Sequence, residues 1–405
     1  MTYYDELETR SADEREDSLA RDLARAISNA QTAPALARAL RDVDPAQIRS
    51  REDLARLPLI RKAELSEAQK KKPPFGGYTT RHPHEFNHIF QSPGPIYEPG
   101  RAEGDWFRLG RFAFAAGLGS SDILHNCFGY HLTPAGIMFE SAARAVGAAV
   151  LPAGTGQTEL QVRAAADIGT TAYAGTPDYL KVILDRADEM GIELSLTRAL
   201  VSGGALFPSL RKTYMDRGIQ TLQCYATADL GLIDYESPAM EGMIVDEGVI
   251  VEIVRPGTGD PVAEGEVGEV VVTTLNPDYP LIRFATGDMS AVLPGESPCG
   301  RTNMRIKGWM GRADQTAKIK GMFVRPEQVA QLVARHPEVS RARVIADRGD
   351  EMDVMLVQLE TTGQNPAVYE ASVLDALKLK GRVELVAPGS LPNDGLVIED
   401  RRQYD

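Results

Sequence analysis

The sequence contains little cysteine. Only Cys127, Cys224 and Cys299 occur among its 405 residues. Because their number is odd and they lie far apart, the sequence predicts neither a disulfide framework nor a cysteine-ligated zinc site. Reduced thiols of this kind are typical of a cytoplasmic protein, and we predict that location.

The sequence also lacks a long apolar run and an excess of positive charge. No stretch of eighteen apolar residues occurs, so no membrane span is expected. The net charge is −13 at pH 7, which disfavours binding to nucleic acid or anionic lipid. The N-terminal "MTYYDELETRSADERED" is acidic and helix-forming, unlike a signal or transit peptide. These features leave small molecules as the expected partners.

Apolar spacing is the strongest structural signal that is present. Residues 1–75 have helical periodicity, as in "EREDSLARDLARAISNAQ". Between residues 105 and 243, helical runs alternate with short buried strands, which predicts an α/β structure with parallel strands. After Met243, "EGVIVEIVRPGTGDPVAEGEVGEVVVTT" predicts a β-meander. A short α+β pattern follows, so we predict a large domain over 1–311 and a small one over 312–405.

Several segments resemble signature segments of the adenylate-forming enzymes, in the family's order along the chain. They are "GEVGEVVVTT" (265–274), "YPLIRFATGDM" (279–289) and "GRADQTAKIKGMFVRPEQV" (311–329). Others are similar specifically to the phenylacetate–CoA ligase group, namely "LPLIRKAEL" (57–65), "GTGQTELQ" (154–161) and "VELVAPGSLP" (383–392). The resemblance spans nearly the whole chain.

This resemblance implies a fold, a reaction and a set of cofactors. ATP and a carboxylate would give an acyl-adenylate and pyrophosphate, with Mg²⁺ as the metal. Coenzyme A would then capture the acyl group as a thioester. The resemblance also implies a small C-terminal domain that swings on a hinge, and a homodimer. The expected ligands are a small carboxylic acid or its acyl-CoA, ATP or AMP, and coenzyme A.

The same resemblance assigns residues to the nucleotide. The backbone of "SGGALF" would line the adenine at Gly203, Gly204 and Ala205, since glycine lets the main chain approach a flat ring. Its alternative interpretation is a simple strand-to-helix turn. In "YATAD", Tyr225 is retained from the family pattern and could stack on adenine, and Ala226 beside it is also assigned to the nucleotide.

Charged residues at family positions would bind the ribose and form the hinge. Asp288 would accept hydrogen bonds from the ribose hydroxyls. Arg312 would act near the ribose or phosphate as a catalytic residue, and Asp314 would be the hinge residue. The alternatives are a turn aspartate for Asp288 and solvated loop charges for the other two.

The acid would bind in "FGYHLTPAG", where Tyr130, His131 and Leu132 match positions that line the family's aromatic-acid pocket. A histidine in an apolar stretch is more often a core residue, so His131 has two interpretations.

Three positions depart from the family pattern, and all concern phosphate chemistry. Where the family has a Ser/Thr/Gly-rich loop ending in lysine, this chain has "QSPGPIYEPG", which keeps Ser92 and Gly94 but puts Glu98 in the lysine's place. Proline offers no N–H to an anion, and an ionised Glu98 would repel phosphate. Asp229 replaces a glutamate and could still hold Mg²⁺ as a catalytic residue. Leu396 lies about where the family has a late catalytic lysine.

Two classes of function remain open from the sequence. The first is an acyl- or aryl-CoA ligase with impaired or altered adenylation. The second is a non-catalytic small-molecule or acyl-binding protein, or a protein that handles acyl-CoA without ATP.

Overall fold

The structure is a computed structural model that describes residues 3–204, 206–311, 313, 315, 317–319, 322–349, 352–392, 394 and 396–402. Its α-helices are α1 (Ala12–Ala30), α2 (Pro34–Ala39), α3 (Arg51–Ala55), α4 (Lys62–Lys71), α5 (Gly110–Ala115), α6 (Ala135–Ala145), α7 (Thr158–Ile168), α8 (Pro177–Met190), α9 (Pro208–Asp216), α10 (Pro326–Ala334) and α11 (Ala367–Leu377). Short 3₁₀ helices span Glu6–Thr9, Pro45–Gln47 and Pro83–Glu85.

The strands alternate with these helices in the first half of the chain and dominate the second half. They are β1 (Ile60–Arg61), β2 (His88–Ser92), β3 (Ile96–Gly100), β4 (Ile123–Asn126), β5 (Ala149–Pro152), β6 (Ala172–Gly175), β7 (Arg198–Val201), β8 (Gln220–Thr227), β9 (Gly231–Tyr235), β10 (Met243–Val245), β11 (Val249–Val254), β12 (Gly268–Thr274), β13 (Phe284–Ser290), β14 (Val292–Leu293), β15 (Arg305–Ile306), β16 (Ala317–Ile319), β17 (Met322–Val324), β18 (Val339–Gly349), β19 (Met352–Thr361), β20 (Arg382–Val386) and β21 (Ile398–Asp400).

The largest sheet in the described part of the chain has the order β14-β15-β10-β9-β8-β7-β6-β4-β5. Strands β5, β4, β6, β7 and β8 pair in parallel, and β8, β9, β10 and β15 pair antiparallel. Along β6, Ala172 and Ala174 enter one hydrophobic cluster and Tyr173 enters another. Both faces of the parallel part are therefore buried, as such sheets require. The predicted α/β fold with parallel strands is confirmed.

Contacts divide the chain into two units. The first contains the described residues of Met1–Val251, Val272–Phe284 and Leu293–Gly308, and the second those of Glu252–Val271, Ala285–Val292 and Trp309–Asp405. The unit boundaries fall inside β11, β12 and β13, which belong to a sheet of order β1-β13-β12-β11. The predicted domain boundary at residue 311 stays a prediction.

The second unit has its own sheet and core. The sheet order is β20-β19-β18-β21, and β16 pairs with β17 as a hairpin. Apolar residues of α10, α11 and the sheet, among them Leu332, Tyr369, Val344 and Val357, form one buried cluster. Within the described residues of either unit, helices fall short of the length and apolar character needed to span a membrane.

Candidate functional site

The stretch that stands in place of a phosphate loop forms a β-hairpin. Strands β2 and β3 pair antiparallel, with Phe90 opposite Glu98 and Ser92 opposite Ile96. Two prolines, Pro93 and Pro95, lie in the turn between them. Pro93 and Pro95 offer no N–H to an anion, and the ladder uses backbone groups of the strands on either side of them.

Glu98 of this hairpin points into the protein. Its side chain is fully buried, and the Ser92 hydroxyl donates a hydrogen bond to Glu98 Oε1. Among the described residues, Glu98 Oε2 has no hydrogen-bond partner. Burial, and then the nearby Asp229 carboxylate, raise the pKa of Glu98 to about 8. The expected repulsion of phosphate by an ionised Glu98 is therefore wrong, since at neutral pH this side chain is buried and mostly protonated.

Asp229 lies in the turn between β8 and β9, and Lys62 binds it. The Lys62 Nζ donates to Asp229 Oδ2 at 2.9 Å, and the aspartate side chain is only 1% exposed. Within the described chain, Asp229 Oδ1 has no partner. Sequence reasoning missed Lys62, which begins α4 inside the quoted segment "LPLIRKAEL".

Tyr279 completes the group. It is buried, its hydroxyl lacks a hydrogen-bond partner in the described residues, and its pKa is raised by burial and by Asp229 and Glu98. We call Lys62, Glu98, Asp229 and Tyr279 the acid cluster. A cavity of about 10 Å³ lined by Asp229 and Tyr279 adjoins it, and a cavity of this size holds about one water molecule.

The acid cluster does not fit the Mg²⁺ ion predicted at Asp229. Mg²⁺ demands octahedral oxygen ligands and usually retains several waters, whereas the cavity has room for about one. One Asp229 oxygen already binds the Lys62 ammonium. Across the described part of the chain, no group of three or more His, Cys, Asp or Glu side chains is arranged to hold a metal ion.

The predicted adenine contacts lie at the carboxyl edge of the parallel strands. Gly203 and Gly204 follow β7 and are exposed, and Gly203 has a φ of +70°, which glycine adopts readily. Tyr225 and Ala226 are half-buried in the neighbouring strand β8. The carboxyl edge of an open α/β sheet is where ligands bind. Ala205 lies outside the described residues.

The predicted ribose contact, Asp288, belongs to the second unit. It is half-buried in β13, and the indole Nε1 of Trp309 donates to Asp288 Oδ1 at 3.0 Å. Trp309 itself is 57% exposed. Arg312 and Asp314 lie outside the described residues. Leu396 is half-buried and packs against the small cluster that contains Val267 and Met289.

The predicted acid-pocket residues differ in exposure. Tyr130 is half-buried and its hydroxyl accepts a hydrogen bond from Asn126 Nδ2 at 2.8 Å. The ring lies so close to Gly136 that a Cβ there would come within 2.8 Å of it. His131 and Leu132 are exposed, and the Leu132 carbonyl accepts from Gln91 N of the hairpin at 3.0 Å. Their role in binding an acid stays a prediction.

Known relatives decide the family. A phenylacetate-coenzyme A ligase from Thermus thermophilus is 30% identical over 341 residues, covering 79% of this chain and 75% of that protein. The chain belongs to the phenylacetate–coenzyme A ligase family. A second member, from Aromatoleum evansii, is 28% identical over 352 residues, with 81% and 78% coverage. This places the chain among the acid–thiol ligases. No protein-family model matches the chain.

Solved structures agree with this placement. A 2-hydroxyisobutyryl-CoA ligase in the postadenylation state, in complex with 2-HIB-AMP, superposes with a TM-score of 0.72 at 25% identity, covering 97% of this chain and 91% of that one. The same ligase in complex with 2-HIB-AMP and CoA gives a TM-score of 0.70 at 25% identity, with 98% and 91% coverage. The predicted adenylate-forming fold is confirmed.

Proposed function

We propose that this protein joins a small carboxylic acid to coenzyme A, and that its adenylation step is weak compared with its thioester-forming step. Family membership supports the overall reaction. The named relatives act with phenylacetate, and the solved neighbour binds an acyl-AMP and CoA. The single observation that supports a weak adenylation step is the hairpin with the buried, mostly protonated Glu98.

Adenylation depends most on the residues that lie near the phosphates of ATP. The carboxylate oxygen attacks the α-phosphorus and pyrophosphate leaves, so negative charge must be stabilised as it moves. The hairpin gives its backbone to β2–β3 pairing, and Glu98 supplies no positive charge. Lys62 is held by Asp229 at 2.9 Å. The late lysine is replaced by Leu396, which packs in an apolar cluster.

Thioester formation depends less on these residues, because it does not require them to stabilise a departing pyrophosphate. The CoA sulfur attacks the acyl carbon and AMP leaves, and pyrophosphate takes no part. The nucleoside is proposed to contact Gly203, Gly204 and Tyr225, which lie at the carboxyl edge of the strands. Asp288 is half-buried, so part of it is accessible to solvent. The AMP portion of an acyl-adenylate therefore has its proposed contacts.

A second candidate is a protein that binds an acid or acyl-CoA without catalysis, or that handles acyl-CoA without ATP. The closed acid cluster favours it, because nothing in that cluster is exposed except part of the Lys62 side chain.

We also propose a homodimer, supported by the family resemblance alone; light scattering of the purified protein tests it.

Bypassing the first step tests the proposal. One reaction contains phenylacetate or 2-hydroxyisobutyrate with Mg-ATP and CoA; the other contains the matching synthetic acyl-AMP with CoA. We expect thioester from acyl-AMP to form about 100-fold faster or more, the typical effect of losing one electrostatic contact. Heat-denatured protein controls for the spontaneous reaction of the acyl-AMP.

Each other outcome has a definite meaning. Equal rates from both substrates would show that adenylation is intact and would defeat the proposed imbalance. No thioester above the denatured control in either reaction would favour the non-catalytic candidate.

A further inference from the structure

The acid cluster buries polar oxygens that have no partner in the described structure. They are Glu98 Oε2, Asp229 Oδ1 and the Tyr279 hydroxyl. All three residues are at most 5% exposed. Buried polar atoms without partners are uncommon in folded proteins. Such a concentration of oxygens is the setting in which a protein places a cation.

Lys62 is a cation placed at this group. Its Nζ lies 2.9 Å from Asp229 Oδ2, a hydrogen-bond distance for an ammonium and a carboxylate. The lysine side chain is 41% exposed, whereas that of Asp229 is 1% exposed. The ammonium therefore covers the carboxylate on the side that solvent can reach. A divalent ion approaching from solvent would have to displace it.

Space gives an independent argument. The cavity beside Asp229 and Tyr279 measures about 10 Å³. It accommodates about one water molecule, and a Mg²⁺ ion that retains several of its water ligands would not fit. Removing the lysine side chain would free Asp229 Oδ2 and add the volume of the ammonium and its methylenes. The vacated site would then offer carboxylate oxygens of the kind that Mg²⁺ and Mn²⁺ bind.

We infer that the Lys62 ammonium substitutes for a divalent metal at Asp229, and that the site becomes a metal site only when Lys62 is removed. This inference rests on the proposed function, because it concerns the same phosphate side of the same site. Lys62 then acts as a positioning residue that holds Asp229 and keeps a metal ion out.

Titration with Mn²⁺, followed by the loss of the free-ion signal in electron paramagnetic resonance, tests the inference without any enzymatic assay. The proteins are wild type, Lys62→Ala and Lys71→Ala, where Lys71 is an exposed lysine of the same helix. We expect Lys62→Ala to bind one Mn²⁺ at least about tenfold more tightly than wild type, the scale of one charge-assisted contact. Lys71→Ala should match wild type.

Further variants locate the gained ion and guard against misfolding. Lys62→Ala combined with Asp229→Asn should lose the gained Mn²⁺ site, and Lys62→Arg should exclude Mn²⁺ as wild type does. Circular dichroism reports whether each variant is folded, and Lys62→Gln replaces Lys62→Ala if the latter is not. One Mn²⁺ bound by wild type as tightly as by Lys62→Ala would overturn the inference. So would a folded Lys62→Ala or Lys62→Gln that gains no site.

The two proposals can fail separately. Wild-type protein that excludes Mn²⁺ but makes no thioester from phenylacetyl-AMP or 2-hydroxyisobutyryl-AMP would defeat the proposed function alone. Wild-type protein that makes thioester from acyl-AMP but binds Mn²⁺ at Asp229 would defeat this inference alone.

Discussion

The two regions predicted to contact the nucleotide differ in how deeply their carboxylate side chains are buried. The acid cluster in the first unit buries Glu98 and Asp229 and covers the latter with Lys62. In the second unit, Asp288 stays half-buried and accepts a hydrogen bond from the exposed indole of Trp309. The segment "LIRFATGD" around Asp288 matches the predicted family pattern, whereas "QSPGPIYEPG" departs from the predicted phosphate loop.

The difference supports the proposal that the residues expected near the phosphates form a new packed arrangement rather than a loop that has only lost its lysine. A loop that had only lost its lysine would be expected to stay open, with its charges in solvent. Here the hairpin is paired, Glu98 bonds to Ser92, and a lysine from another segment binds Asp229.

Replacing Glu98 by glutamine should stabilise the protein in a pH-dependent way. The folded protein keeps a proton on Glu98 up to about pH 8, whereas the unfolded chain releases it near pH 4.5. Wild-type stability therefore falls as pH rises between these values, whereas the glutamine side chain of the variant does not titrate. The advantage of Glu98→Gln should be near zero below about pH 4.5 and reach on the order of 5 kcal/mol above about pH 8.

Urea unfolding at about pH 4, 6.5 and 9 measures this advantage below, between and above the two pKa values. The control is Glu103→Gln at an exposed glutamate, whose effect should be small at every pH. An advantage that stays constant across the series would contradict the buried, protonated Glu98.

Replacing Gly231 by Ala should disturb the turn that carries Asp229. Gly231 has a φ of +71°, and a Cβ there would lie 2.8 Å from the Phe107 carbonyl oxygen. Backbone strain and this clash should together cost about 3 kcal/mol in unfolding free energy. Gly119→Ala is the matched control, since its Cβ would meet open space. Equal urea midpoints for the two variants would rule out the tight turn.

Replacing Leu396 by Lys should destabilise the second unit rather than restore a catalytic lysine. The side chain packs against the Val267 and Met289 cluster, so part of a lysine would have to leave solvent. We expect a loss of about 1–3 kcal/mol and no rise in thioester formation from Mg-ATP. Leu374→Lys, at a residue that is 42% exposed, is the control. A stable and faster Leu396→Lys enzyme would argue for an eroded ligase.

Replacing Trp309 by Phe should have the smallest effect. It removes one N–H donor from Asp288 at a position open to water, so the stability change should stay below about 1 kcal/mol. Thermal unfolding of Trp309→Phe measures it. A loss comparable with that of Gly231→Ala would mean that the Asp288 region is as closely packed as the acid cluster.

Much of the fold could be predicted from the sequence because local patterns agreed with tertiary structure. The alternation of helices and short strands predicted between residues 105 and 243 appears, for example, as β5, α7 and β6, and the amphipathic N-terminal run appears as α1. Turn glycines and helical periodicity are local signals that need no knowledge of the rest of the chain.

The acid cluster could not be predicted in the same way. Lys62 and Asp229 are 167 residues apart, and no periodic pattern links them. The alternation of a hairpin indicates which residues share a face but not which face is buried, and a glutamate is normally assigned to solvent. The protonation of Glu98 follows from burial beside Asp229, which only the three-dimensional structure reveals.

We propose that the protein excludes the β- and γ-phosphates of ATP but still binds the AMP portion, and calorimetric titration with AMP and with Mg-ATP measures both properties. We predict that AMP binds at least about tenfold more tightly than Mg-ATP, a difference of about 1.4 kcal/mol. Mg-ATP that binds as tightly as AMP, or more tightly, would contradict the claim and show that the hairpin accepts a triphosphate.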